Sequence, residues 1–307
     1  MKARIILVTL SGLLAAGLVV AATQTIDGAN ITQAVWGVAP VAEQDTNTRF
    51  GDNFNELNLF FIDSDNDNVY LGIPGNIADN NALTIFIDTD AGGSNVLNTE
   101  PGGGCPGSVP TLIRIYNDTV LETGLAPEYA LLISVGIFPG QSTSQLVFAS
   151  DLTNLNTLAN VSLGIAAVGD ASGNLTGTPV HGVRIAINNT NGAGVRAWDP
   201  NQPCADPADP ETATTGYEVA IPRSLLGLTG QTARNVSFFA YISNNGQDSL
   251  DGVCFGRAAY GSNQGLPGLA CADNLALFSG VSEVLDFTDP NSAPGTQVVT
   301  VSIPGVP

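Results

Sequence analysis

The sequence predicts an all-β protein, a two-layer antiparallel β-sandwich of jelly-roll type with long Gly/Pro-rich loops. Its apolar residues stand in many short runs that are rich in β-branched and aromatic side chains, as in strands. Turn-forming residues separate these runs, and the chain contains 35 glycines and 18 prolines. No run follows the helical period of 3.6 residues, so short strands are favoured over helices.

The stretch from Leu57 to Asp90 is the centre of this pattern. It holds three apolar runs, Leu57–Ile62, Val69–Ile73 and Leu83–Ile87, separated by a polar turn and by Pro74-Gly75-Asn76. We expect a three-stranded meander whose apolar face needs a second layer to cover it. The alternation predicts six residues of the core or its margins: Phe60, Ile62, Tyr70, Leu83, Ile85 and Ile87.

Later apolar runs supply strands for the second layer. They are Thr111–Tyr116, Tyr129–Phe138, Gln145–Ala149, Val161–Val168, Val180–Ile187, Gly216–Pro222, Val236–Ser243 and Val298–Ile303. Composition does not divide the chain, so residues 23–307 are predicted to form one elaborated domain. The alternative is two small sandwiches divided near Ala197–Thr215, a loop insertion with four prolines.

Residues 1–22 have the features of a signal peptide. Lys2 and Arg4 precede an apolar run over Ile5–Val20, and small residues end at Ala22. The alternative is an uncleaved anchor, since the run approaches spanning length. No later stretch is apolar and long enough to span a bilayer, so we expect no membrane span after cleavage. A secreted, extracellular or cell-surface protein is predicted, with the periplasm as the alternative.

The formal net charge of −19 narrows the classes of partner. Such an acidic chain should repel nucleic acid and anionic membrane surfaces. Divalent cations, neutral polysaccharides and other copies of the chain remain as expected partners.

Four cysteines, an even number, follow the signal segment, and in an exported chain they favour disulfides. Four cysteines allow three pairings. We favour Cys254–Cys271, which closes a local Gly-rich loop, and Cys105–Cys204, which joins two Pro/Gly-rich loops. The chain has no CxxC motif, which argues against structural zinc.

Two acidic turns are candidate Ca²⁺ sites. Asp63, Asp65 and Asp67 have the spacing of a Ca²⁺-binding loop, but Asn68 and Pro74 stand where that motif needs Gly and Glu. Asp88 and Asp90 end a strand just before Gly92-Gly93 and could share an ion with loop carbonyls. The alternative in both places is a turn in which Asp and Asn accept main-chain hydrogen bonds.

Several motifs in order resemble a family of uncharacterised exported bacterial proteins, distantly similar to DOMON-like domains and family 9 carbohydrate-binding modules. The motifs are Ile26-Asp27-Gly28 with Trp36, Val69–Asn76, Leu83–Asp88 and Thr215–Pro222. The resemblance implies a jelly-roll sandwich and, for the distant relatives, sugar or cofactor binding. It makes Trp36 and Trp198 the candidates for a sugar-stacking platform. A Met/His haem pair cannot be built, because Met1 and His181 are the only residues of their types.

Catalysis is not expected. No Gly-x-Ser-x-Gly elbow accompanies His181, and no spacing singles out a pair of carboxylates for glycoside hydrolysis. The predicted function is an exported, non-catalytic protein with a structural, matrix or self-assembling role. The alternatives are a carbohydrate-binding module and a glycoside-active hydrolase.

Overall fold

A computed structural model describes the chain over eleven ranges. They are residues 23–44, 54–79, 81–90, 92–99, 118–136, 146–177, 181–194, 209–244, 265–266, 286–288 and 296–306. The signal segment, the Thr111–Tyr116 run, the four cysteines and Trp198 lie outside these ranges, so the predictions made for them stay predictions. Within the ranges two antiparallel β-sheets pack face to face, which confirms the all-β sandwich.

The first sheet contains six of the described strands. They are β1 (Ala42–Glu43), β2 (Glu56–Leu57), β3 (Leu59–Ser64), β4 (Asn68–Asn76), β9 (Arg184–Ile187) and β10 (Gly216–Pro222). Their order is β1-β3-β4-β10-β9, with β2 pairing β4 as well. A four-residue helix, α1 (Gln33–Trp36), and a 3₁₀ turn at Arg223–Leu226 flank this sheet.

The second sheet contains the other seven described strands. They are β5 (Asn81–Asp88), β6 (Tyr129–Gly136), β7 (Val147–Asn154), β8 (Ala159–Ala167), β11 (Arg234–Asn244), β12 (Gly265–Leu266) and β13 (Val299–Ile303). The order is β12-β11-β5-β6-β7-β8, with β13 also pairing β11. The strands β10 and β11 follow residues 197–215, yet they pair with β4 and β5, which precede that insertion.

The predicted three-stranded meander is wrong, because β4 and β5 belong to different sheets. Pro74 and Gly75 do not end β4: they pair with Gly216 and Leu57. In a meander β5 would pair with the free edge of β4. Because β10 pairs with that edge instead, the chain after β4 crosses to the opposite sheet. Asn189 holds this crossing through hydrogen bonds to both the N–H and the carbonyl of Ile77.

The core lies between the sheets, as the alternation predicted. Inward residues of β4 and β5 share one cluster with those of the neighbouring strands, and five predicted core residues belong to it: Phe60, Ile62, Leu83, Ile85 and Ile87. Tyr70, the sixth, is also buried but faces the opposite side of its sheet. Both faces of β4 are therefore buried, because the outer face of the first sheet is covered as well as its inner face.

Residues 24–38, here called the lead-in, cover the outer face of the first sheet. Ile26, Ile31 and Trp36 form an apolar cluster there with Phe61 and Tyr70. The centroids of the Trp36 and Phe61 rings lie 5.8 Å apart. The indole reaches the sheet only because Gly72 has no side chain: a Cβ there would lie 2.3 Å from Trp36 Cζ2.

We expect Gly72→Ala to destabilise the protein by about 1–3 kcal/mol, the usual cost of overpacking a filled site. The measurement is the free energy of unfolding from urea titration. Gly192→Ala is the control, since a Cβ at Gly192 meets no atom within 4 Å. Equal unfolding free energies for the two variants would contradict the close packing of Trp36 on the sheet.

Candidate functional site

The first candidate site is the carboxylate of Glu218, in the middle of β10. In the ladder Glu218 stands opposite Gly72 on one side and Ala186 on the other. Because side chains alternate along a strand, Tyr217 points into the central core and Glu218 points out beneath the lead-in. The carboxylate is therefore buried on the outer face of the sheet, where Glu218 is 2% exposed.

Three N–H donors of the lead-in converge on this carboxylate. The main-chain N–H groups of Asp27 and Gly28 donate to Oε2 at 2.8 and 2.7 Å. The indole N–H of Trp36 donates to Oε1 at 3.2 Å. The motifs Asp27-Gly28, Trp36 and Gly216–Pro222, which are far apart in sequence, meet here. Their geometry makes Glu218 the residue that holds the lead-in on the sheet.

Burial raises the pKa of Glu218 to about 7, and the nearby charge of Asp27 acts in the same direction. The hydrogen bonds from Asp27, Gly28 and Trp36 oppose this rise, because they stabilise the ionised form. A perturbed carboxyl of this kind can mark a functional site. Here its acceptor atoms are occupied by donors of the same chain, as in a structural anchor.

The turn between β3 and β4 uses its aspartates in a similar way. Asp65 Oδ1 accepts from the main-chain N–H groups of Asp67 and Asn68, each at 2.8 Å. Asp65 Oδ2 accepts from the Tyr70 hydroxyl at 2.6 Å. Burial raises the pKa of Asp65, but the hydrogen bonds from Tyr70, Asn68 and Asp67 together bring it below its usual value.

Asp63 does not join Asp65 in this turn. Its Oδ2 accepts from the side-chain amide of Gln24 at 2.7 Å, which ties the start of the lead-in to β3. Asp67 is exposed to solvent. The structure thus places the three aspartates of the first predicted Ca²⁺ loop in different surroundings, and cation binding there stays a prediction.

The second acidic turn contains a residue that the sequence did not single out. Asp88 ends β5, and its Oδ2 accepts from the N–H of Ala126 at 2.9 Å. Glu128, just before β6, is buried, and its Oε2 accepts from the N–H of Thr89 at 2.7 Å. Burial raises the pKa of Asp88, and the charges of Glu128 and Asp90 raise it further. Glu128 belongs to no sequence motif, and only its contact with the end of β5 in the structure identifies it as part of this turn.

A third group of polar side chains lies at the end of the first sheet. Glu56 is fully buried, and its Oε1 accepts from the side-chain amides of Asn191 at 2.5 Å and Asn76 at 3.3 Å. Burial and the charge of Glu56 raise the pKa of Tyr217 well above its usual value. These groups join β2, β4 and the loop after β9, so they also act on loop position.

Trp36 and Trp198 are the residues predicted to stack on sugar. Trp36 is 3% exposed, and protein covers its ring, so it cannot stack on a sugar while the lead-in stays in place. Trp198 lies outside the described ranges, and its role as a platform stays a prediction.

The described ranges contain neither a cluster of three metal-ligating side chains nor a membrane-spanning helix. No three His, Cys, Asp or Glu side chains there lie close enough together to hold one metal ion. No helix within the same ranges has the length and apolar character needed to cross a membrane.

Comparison of the chain with protein-family models, with curated proteins and with solved structures finds no match. The resemblance to DOMON-like domains and carbohydrate-binding modules therefore stays a prediction.

We expect Glu218→Ala to lower the free energy of unfolding by about 2–4 kcal/mol, because it leaves buried N–H donors without an acceptor. Glu211→Ala, at an exposed position, is the control and should change stability by less than about 0.5 kcal/mol. Both values come from urea titration. A Glu218→Ala variant as stable as the control would show that the carboxylate does not hold the lead-in.

The same carboxyl predicts a pH dependence. Its pKa is about 7 in the folded chain against 4.5 for an unperturbed group, so the folded state binds this proton more tightly. The stability that this proton contributes is complete below pH 4.5 and is lost as the pH rises through 7. Its size is at most about 3 kcal/mol, at about 1.4 kcal/mol for each pKa unit.

The measurement is the unfolding free energy of the wild type minus that of Glu218→Gln, which does not titrate, at several pH values. This difference should move in favour of the wild type as the pH falls from 7 to 4.5. A change in the opposite direction would mean that the three N–H donors outweigh burial.

Proposed function

We propose that the chain is an exported, non-catalytic β-sandwich protein with a structural role at the cell exterior, where copies associate through the outer edge of β8. The proposal combines the export signal expected from residues 1–22 with two features of the described fold.

The observation that carries the proposal is the edge strand β8, residues 159–167. It ends the second sheet, and β7 pairs with one of its edges over the whole strand. On its outer edge, within the described ranges, main-chain hydrogen bonds are confined to the C-terminal part: Ile165 pairs with Thr176, and the carbonyl of Ala167 accepts from the N–H of Asp170. The N-terminal half of β8 thus offers its outward N–H and C=O groups to another strand.

The composition of β8 favours such pairing. Proteins usually protect an open edge with a charged side chain, above all lysine, or with proline. The sequence ANVSLGIAA of this strand has neither, and Lys2 is the only lysine of the chain. A bulge near Ser150 and Asp151 twists the pairing with β7 but adds no charge to the outer edge. Added strands in this place would extend the second sheet from one copy into the next.

The use of the carboxylates supports a non-catalytic role. Glu218, Glu128, Asp65 and Asp88 all accept hydrogen bonds from main-chain N–H groups of loops. A catalytic carboxylate must reach a proton or a reacting atom of the substrate. These four instead fix the positions of loops on the sandwich, which suits a stable scaffold.

We expect Ser162→Lys to abolish self-association without lowering the melting temperature of the monomer. Ser162 is exposed on β8, and a lysine there would have to lose its hydration when a second strand pairs. Ala171→Lys adds the same charge at an exposed turn residue and serves as the control. Sedimentation velocity over a range of protein concentrations measures association, and electron microscopy detects sheets or filaments.

The wild type and the Ala171→Lys variant should associate as concentration rises, and the Ser162→Lys variant should remain monomeric. A wild-type protein that stays monomeric throughout, or a Ser162→Lys variant that associates equally, would exclude assembly through β8.

A further inference from the structure

We propose that Asp90 and Glu128 bind a Ca²⁺-like divalent cation between the end of β5 and the start of β6. This inference goes beyond the proposed function and does not depend on it. It rests on an unpartnered buried oxygen, on the space kept open beside that oxygen, and on the local balance of charge.

The first observation is the carboxylate of Glu128. The residue is 5% exposed. Its Oε2 accepts from the N–H of Thr89 at 2.7 Å and from the Thr89 hydroxyl at 3.3 Å. Its Oε1 is buried too, but it accepts no hydrogen bond from any residue that the structure describes. A buried carboxylate oxygen without a partner is costly, so this atom calls for a partner that the described residues do not supply.

The second observation is the space that Gly92 leaves open. A Cβ at Gly92 would lie 2.9 Å from Asp90 Oδ1 and 3.8 Å from Glu128 Oε1. Two carboxylate oxygens from different segments therefore border the volume that a side chain at this position would fill. Asp90 Oδ1 also accepts from the N–H of Gly92 at 2.9 Å, which holds it on this side of the loop.

The third observation is the charge around that volume. Asp88, Asp90 and Glu128 are close in space. Asp88 accepts from the N–H of Ala126, two residues before Glu128, and Glu128 Oε2 accepts from the N–H of Asp90 at 3.4 Å. Arg234 is the basic group beside them, with Nη2 3.8 Å from Asp90 Oδ2 and donating to the Thr89 carbonyl at 2.9 Å. Three carboxylates and one guanidinium together carry a formal charge of −2. A divalent cation would neutralise this charge.

Arg234 does not take the place of the cation. It approaches Oδ2 of Asp90, whereas Oδ1 borders the space beside Gly92. The Arg234 and Asp90 side chains are 43% and 53% exposed, so their ion pair is weakened by solvent. Glu128 Oε1 gains no hydrogen bond from this arginine.

The donor atoms favour a hard cation of the Ca²⁺ type. The two oxygens nearest to the space beside Gly92 belong to carboxylates. Ca²⁺ accepts six to eight oxygen ligands in irregular arrangements that include carbonyls and water. Asp88 is held by Ala126, which agrees with the finding that no three acidic side chains in the described ranges converge on one point. Two carboxylates suit weak binding, with a dissociation constant of about 10⁻⁴–10⁻³ M as in extracellular modules.

The test measures the melting temperature of the full chain in CaCl₂ and in NaCl of matched ionic strength. Preferential binding to the folded state must raise the melting temperature beyond the effect of screening. We expect a larger rise in CaCl₂ that saturates at about millimolar concentration. Equal shifts in the two salts would overturn the proposal.

Variants locate the ion. Asp90→Asn removes one ligand charge at a half-exposed position, and Gly92→Ala fills the space; each should abolish the Ca²⁺-specific shift. Glu128→Gln should also abolish the shift. Glu128 is buried, so if this variant fails to fold, Asp90→Asn and Gly92→Ala decide the test. Asp67→Asn, which removes one exposed charge from the other acidic turn, should keep the shift. A Ca²⁺-specific shift that survives both Asp90→Asn and Gly92→Ala would also overturn the proposal.

Discussion

The structure depends on covering the outer face of its first sheet, and the Glu218 carboxylate is central to that covering. The sheet is apolar on both faces, so its outer face needs a cover as much as its core face needs the second sheet. The lead-in provides the cover, and three of its N–H groups end on Glu218. Ionised, this carboxylate satisfies donors that would otherwise be buried without partners, although its own burial opposes ionisation.

Hydrogen bonds from the main chain take much of the role that basic side chains have in other proteins. The chain has 28 acidic residues and nine basic ones, so most carboxylates cannot form ion pairs. Loop N–H groups instead satisfy the buried carboxylate of Glu218 and the half-buried ones of Asp65 and Asp88. Such bonds satisfy oxygen atoms without cancelling charge. Where carboxylates gather, as at Asp90 and Glu128, a net negative charge remains, and a cation becomes a favourable partner.

Within the part of the chain that the structure describes, the open edge at β8 results from the order of strands. In the first sheet, and at the β11–β5 end of the second, strands from the two halves of the chain pair with each other. By contrast, β6, β7 and β8 follow one another in sequence and pair as successive hairpins. The last strand of such a series has a free edge unless another segment closes it. In β8 the contact of Ile165 with Thr176 closes only the C-terminal part. The strand that we propose for assembly, β8, is therefore separate from the strands that join the two halves of the chain.

By itself the sequence determined the strands and their core faces, because alternation along a strand is a local property. It predicted the buried side of β3 and of β5. Local pattern could not determine that β4 and β5 separate, because β10, more than a hundred residues later, takes the edge of β4. Glu128 escaped notice for the same reason, because nothing beside it in sequence distinguishes it from other acidic residues. Glu218 stands in the Thr215–Pro222 motif, but that motif alone does not show which groups its carboxylate binds. Only the tertiary structure decided their roles, since the N–H groups and the neighbouring charges that act on them come from distant segments.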